Sequence, residues 1–168
     1  MNQSIHMVDI LQYLMGPVES LQAYKDTLAH EIEAEDTATC ILRFRTGALG
    51  MIYGTTASYP GQFRRLEITG TKGTVVQVEN SLKVWQFADQ SDYDREIISR
   101  FGQIEGGGGV SDPAAIPFEP HALNIASFLN SLDSGKDFEI SGAEARKAVE
   151  IVLGIYEAAR TMKPVYFG

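Results

Sequence analysis

The sequence predicts an α+β fold, with an open, mostly antiparallel sheet of about six strands and helices packed on one face. Three observations carry that expectation. Residues 1–16 space their apolar side chains with a helical period. Residues 18–87 switch to a period of two, interrupted only by short turns. From Pro120 onward the helical period returns twice. A helix, a run of closely connected strands and two further helices form a layered sheet-and-helix domain rather than a βαβ repeat.

The opening helix covers Met1 to Gly16, and Met7, Val8, Ile10, Leu11, Leu14 and Met15 spread over its core side. Gly16-Pro17 ends it, because Pro cannot continue a helix and Gly accepts the left-handed turn beyond it. Val18–Ala29 reads as a strand of weak alternation. In Asp36–Arg45 the alternation is clear, and Thr46-Gly47 turns it into Ala48–Tyr59 as an antiparallel hairpin. Gly50 and Gly54 share one face of that second strand, which marks a bulge or a close contact with a helix. Arg64–Thr69, Thr74–Val78 and Leu82–Phe87 complete the strands. Ala88–Pro117 shows no sustained period and reads as a long loop containing Gly106–Gly109, with Tyr93, Ile97, Ile98 and Phe101 available for docking on a partner. Two helices follow. The first runs from about Pro120 to Asp133 with Leu123, Ala126, Leu129 and Leu132 inward. The second opens on Ser141 and Glu144 in capping spacing, with Ala145, Ala148, Val149, Val152, Ile155, Tyr156 and Ala159 inward. Gly154, inside that last helix, reads as a close-packing position. The outer sheet face carries Thr, Arg, Tyr, Gln and Ser, leaving both water and another protein surface open as its neighbour.

A chain of 168 residues holds one domain with a proper core. Its net charge of −8 argues against nucleic acid and anionic lipid, both of which select basic surfaces. The single cysteine, Cys40, excludes an internal disulfide and fits a reducing, cytoplasmic compartment. No run reaches the length of a membrane span, and no signal peptide is expected.

The opening helix gathers the most chemistry. At 100° per residue, Asn2, His6, Asp9 and Tyr13 fall within roughly 60° of one another. Such a strip is either the solvated face of an amphipathic helix or a site. The helix holds no Lys, Arg or Glu, and its polar residues are the short or ring-bearing types that catalysis uses, histidine among them. Asn2 and Asp9 are positioned to orient or tune His6. No second His or Cys group has ligand spacing, so no metal site is assigned. His30 sits in an acidic turn and His121 at a helix start. Arg64-Arg65 reads as an edge-strand charge pair or as an anchor for a substrate carboxylate or phosphate. The four glycines of Gly106–Gly109 lack the strand, spacing and helix of a phosphate-binding turn.

The run Asn2-Gln3-Ser4-Ile5-His6-Met7-Val8-Asp9, with Leu11, Leu14 and Gly16 after it, resembles the N-Q-x-I-H-x-x-D helix of the Gfo/Idh/MocA oxidoreductases, relatives of glucose–fructose oxidoreductase and inositol dehydrogenase. The similarity continues through Asp36-Thr37-Ala38, Phe44 with Gly47-Ala48, and Leu66-Glu67-Ile68-Thr69-Gly70-Thr71-Lys72-Gly73-Thr74. It ends with Ser141, Glu144-Ala145 and Pro164-Val165, and leaves Ala88–Pro117 unaligned. In that family an N-terminal Rossmann domain binds NAD or NADP and supplies a lysine from an E-K-P motif. The C-terminal α+β domain carries the substrate site and forms the oligomer interface with its sheet. The resemblance therefore implies that residues 1–168 are a single C-terminal substrate and oligomerisation domain, with the Rossmann domain outside this chain. It implies a sugar or polyol secondary alcohol as substrate and His6 as the catalytic residue, with Asn2 hydrogen bonding and Asp9 orienting or structural; together with Tyr13 of the same strip, Asn2 and Asp9 are the expected substrate-binding residues. It further implies NAD or NADP in the full-length enzyme, none bound to this chain alone, and a homo-oligomer joined through the sheet face. Two alternatives stand beside it: a non-catalytic dimerisation or binding module, and part of an NAD-assisted glycosidase or epimerase.

Overall fold

The structure, a computed structural model, describes residues 4–102 and 118–168. The elements in chain order are α1 (Ile5–Met15), β1 (Val18–Asp26), β2 (Thr37–Phe44), β3 (Leu49–Thr55), β4 (Arg65–Gly70), β5 (Gly73–Val78), β6 (Ser81–Phe87), α2 (Asp92–Phe101), α3 (Glu119–Ser134), α4 (Gly142–Thr161) and β7 (Val165–Tyr166). This is the expected α+β class. The strands divide between two sheets, β3-β2-β1-β7 and β4-β5-β6, with every pair antiparallel. The chain likewise forms two compact units, Met1–Ser58 with Pro117–Gly168, and Tyr59–Ile116.

In the first unit, alternation decides which side chains enter the core. Leu21 and Ala23 of β1 stand opposite Leu42 and Cys40 of β2, and Cys40 stands opposite Ile52 of β3. These residues form the inner face with Val18 and Phe44, beneath Val8 of α1 and Ile151, Ile155 and Ala158 of α4. Phe44 and Val8 are each 1% exposed. Burial pushes the Cys40 thiol up to about 11, so it stays protonated and unreactive at neutral pH. Tyr24, Ile41, Leu49, Met51 and Tyr53 are exposed, and strand alternation puts them on the other face.

Both closing helices form, with Ser141 accepting the amide of Glu144 at the start of α4. Their core faces differ from the expected ones. On α4 the buried positions are Ala148, Ile151, Gly154, Ile155 and Ala158, whereas Val149 is exposed. On α3, Leu123 is 72% exposed and Leu129 and Leu132 are also exposed. A helical period identifies an apolar stripe without identifying the surface that covers it. Phe128 meets Phe138 edge to face at 5.4 Å. Gly154 has the expected close-packing role, because a Cβ there would stand 2.6 Å from the Phe167 ring. That ring follows β7, a two-residue strand not anticipated from the sequence, which pairs with Ser20 and Leu21.

The second unit joins β4, β5 and β6 to α2. The expected loop over Ala88–Pro117 is corrected at Asp92–Phe101, which is helical. Its start signal is a capping box built with aspartate: Ser91 accepts from the Asp94 amide, and Asp94 accepts from the Ser91 amide at 2.8 Å. Asp92 and Asp94 favour the positive end of the helix dipole, and Arg100 the negative end. Trp85 donates to Asp94 at 2.9 Å and ties α2 to β6. Gly106–Gly109 lie outside the described residues.

Gly154→Val should lower the unfolding free energy by about 1–3 kcal/mol through overpacking against Phe167, as read by urea denaturation.

Candidate functional site

The strip on α1 is built from the far side of the helix. Val8 anchors α1 in the core, and Gln12, one turn later, is 8% exposed. His6, Asp9 and Tyr13 are exposed, with Tyr13 at 76%. The structure thus brings these three sequence-predicted residues to one outward side of a helix whose opposite stripe is fixed. Asn2 lies outside the described residues. A cavity of about 240 Å³ is lined by Gln12, Arg45, Ile151 and Phe167, and so belongs to the buried side of α1 rather than to the strip.

The first turn of α1 is held by the carbonyl of Ser4, which accepts from the amides of Met7 and Val8 at 3.0 and 3.1 Å. Ser4 makes no side-chain cap. It is seated against β3 at Gly54, where an added Cβ would overlap Ser4 Oγ. Of the two readings of this glycine, close contact with a helix start is the one observed.

A second feature missed by sequence reasoning supports the same end of the sheet. The buried carboxylate of Asp36 accepts from the amides of Leu28, Ala29 and His30 at 2.9, 2.8 and 3.1 Å. It also bonds His30 Nδ1 at 3.1 Å and the Thr37 hydroxyl at 3.0 Å. The Leu28 amide is the leading influence that holds this carboxyl well below the usual carboxylate range. Its backbone carbonyl accepts from the Thr56 amide, and Thr37 and Thr55 share a hydroxyl bond at 2.9 Å. The available signal was an aspartate immediately before the clearest strand, in a turn-forming stretch. On α4, burial and a hydrogen bond to Glu35 push the Tyr156 phenol up to about 12.

Of the other candidates, His30, Arg64 and Arg65 have structural partners. His30 is engaged by Asp36. His121 is exposed in the first turn of α3. In the second unit Arg64 holds Glu79 with two nitrogens, and Arg65 pairs with Glu67 at 2.7 Å on the edge strand β4. That is the charge-pair reading. Among the described residues, no group of three His, Cys, Asp or Glu is arranged to hold a metal ion. No helix among them is long and apolar enough to cross a membrane.

Residues 1–76 match the family model of the GFO/IDH/MocA C-terminal domain. The chain therefore resembles the C-terminal domain of the Gfo/Idh/MocA oxidoreductases. One solved relative is the WlbA dehydrogenase from Bordetella pertussis, determined in complex with NADH and UDP-GlcNAcA. It is 34% identical with a TM-score of 0.82, over 100% of this chain and 45% of that one. The myo-inositol 2-dehydrogenase of Thermotoga maritima is 35% identical over 80 residues, which are 45% of this chain and 24% of that protein. A D-apiose dehydrogenase of Rhizobium rhizogenes is 25% identical over 98% of this chain and 47% of its own length. The chain spans less than half the length of each of these relatives.

The Asp36 carboxyl releases its proton more readily when folded than when unfolded. Its contribution to stability is therefore complete above the ordinary carboxylate pKa of about 3.9 and is lost as pH falls through the lower folded value. Asp36→Asn should lower Tm at neutral pH. The gap from wild type should close in thermal melts taken on acidification below about pH 4.

Proposed function

We propose that this chain is the substrate and oligomerisation domain of a nicotinamide-dependent oxidoreductase that acts on a secondary alcohol of a sugar or polyol. The observation that carries the reading is the outward strip of His6, Asp9 and Tyr13 on a helix that fits the family pattern. Oxidising a secondary alcohol requires a group to take the hydroxyl proton as hydride departs, and an exposed imidazole can accept a proton at a ring nitrogen. His6 would hold that proton at a ring nitrogen. Asn2, Asp9 and Tyr13 would bind and orient the remaining hydroxyls, which fixes the reacting carbon relative to the imidazole.

The described residues contain no glycine-rich strand-to-helix turn suited to a dinucleotide. NAD or NADP would belong to a separate N-terminal domain of the full-length enzyme and supply hydride acceptance there. No residue of this chain is assigned to it. Within the sugar class, the 34% identity over the whole chain to an enzyme solved with UDP-GlcNAcA supports a nucleotide-linked sugar as the substrate. In the full-length protein, His6→Ala should lower kcat by about 100-fold or more while leaving Tm near wild type. Unchanged turnover would remove the catalytic role of His6.

The sheet supports the second half of the reading. Ile41, Met51, Tyr53 and Tyr24 are exposed together on the outer face of the sheet, and contiguous apolar surface of this kind marks interaction sites. A homo-oligomer joined through that face would cover it. Met51→Arg, at a position 70% exposed, should shift the protein toward monomer in sedimentation velocity with its helical content unchanged. Retention of the wild-type assembly would move the interface elsewhere.

A further inference from the structure

We infer that Gly54 is a positioning residue for His6: the side chain it lacks lets the end of β3 seat against Ser4, and this sets where the first turn of α1 stands. The inference rests on the catalytic reading of His6. The backbone of Gly54 does not occupy the left-handed region, so conformation does not require glycine there; space does. A Cβ at position 54 would overlap Ser4 Oγ and lie 3.3 Å from Ser4 Cβ.

The two sides of this contact differ in stiffness. Gly54 stands opposite Ala38 in the β2–β3 ladder. Next to it, Thr55 is bonded to Thr37, the Ala57 amide donates to Thr55 Oγ1 at 2.9 Å, and the Thr56 amide donates to the Asp36 carbonyl at 2.8 Å. Asp36 is itself fixed by the donors gathered on its carboxylate. Ser4, by contrast, is tied through its carbonyl to the amides of Met7 and Val8, both within α1 itself, and makes no side-chain cap. Added bulk at 54 therefore moves the helix start rather than the strand. Val8 is anchored in the core, and His6 lies between Ser4 and that anchor, so the imidazole moves with the turn.

The response should be graded. The Ser4 hydroxyl can rotate away from one added methyl, so Gly54→Ala perturbs less than the branched side chain of Gly54→Val. A displacement near 1 Å at a reacting group lowers turnover on the order of 100-fold. In the full-length enzyme, Gly54→Val should lower kcat by about that factor with a much smaller change in KM. Adding Ser4→Gly, which removes the obstructing side chain, should return most of the kcat lost in Gly54→Ala. Tm is followed for every variant. Wild-type kcat in Gly54→Val would overturn the inference. So would a loss of kcat that parallels the loss of Tm and is not recovered by Ser4→Gly. The His6→Ala variant separates the two levels. If it turns over normally, the catalytic reading fails; if it is inactive while Gly54→Val is fully active, only the role of Gly54 falls.

Discussion

The burial of one face of the β3-β2-β1-β7 sheet beneath α1 and α4 is the constraint on which the first unit depends. Leu21, Ala23, Cys40, Leu42 and Phe44 leave water together, and Val8, Ile151, Ile155 and Ala158 close over them. Removing apolar surface from water is the dominant favourable contribution to folding, and a packed interior resists displacement of its members. Because Val8 is held in that interior, the azimuth of α1 is fixed. His6, Asp9 and Tyr13 then face outward as a geometric consequence, without any bond among them.

The polar groups around this core extend the same logic. The Asp36 carboxylate gathers three successive amides, so the turn after β1 is ordered by one side chain rather than by an apolar cluster. Burying a carboxylate is unfavourable unless it is well hydrogen-bonded, and here it is. The Thr37–Thr55 and Asp36–Thr56 bonds carry that order across the sheet to the end of β3, where α1 begins. Core packing sets the rotation of the helix, and this polar network stiffens the surface against which its first turn rests.

Much of this was legible in the residues. The period-two runs around Cys40 and Met51 reveal the hairpin, Gly16-Pro17 marks the end of α1, and Ser141 marks the start of α4. The outward strip on α1 follows from spacing alone. Other features leave weaker traces. The start of α2 was hidden because its capping partner is Asp94 rather than the usual Glu or Gln. The short β7 has too few residues to show alternation, and its pairing depends on contact with β1, distant in sequence. The exposed stripe of α3 shows the same limit from the other side, since a pattern of Leu123, Leu129 and Leu132 records apolarity and not its partner. Asp36 and Gly54 act through neighbours that only the folded chain supplies.

The shortness of β7 has a consequence for solubility. It pairs with β1 at Ser20 and Leu21 only, so from Gln22 onward that border of the sheet has no β7 strand against it. Such a border invites strand addition by other polypeptides and is a route to aggregation. Lys25 lies in this stretch, with its ammonium 5.6 Å from the centre of the Tyr156 ring. A positive charge there disfavours an incoming strand, so the lysine whose ammonium lies near the Tyr156 ring also guards the border.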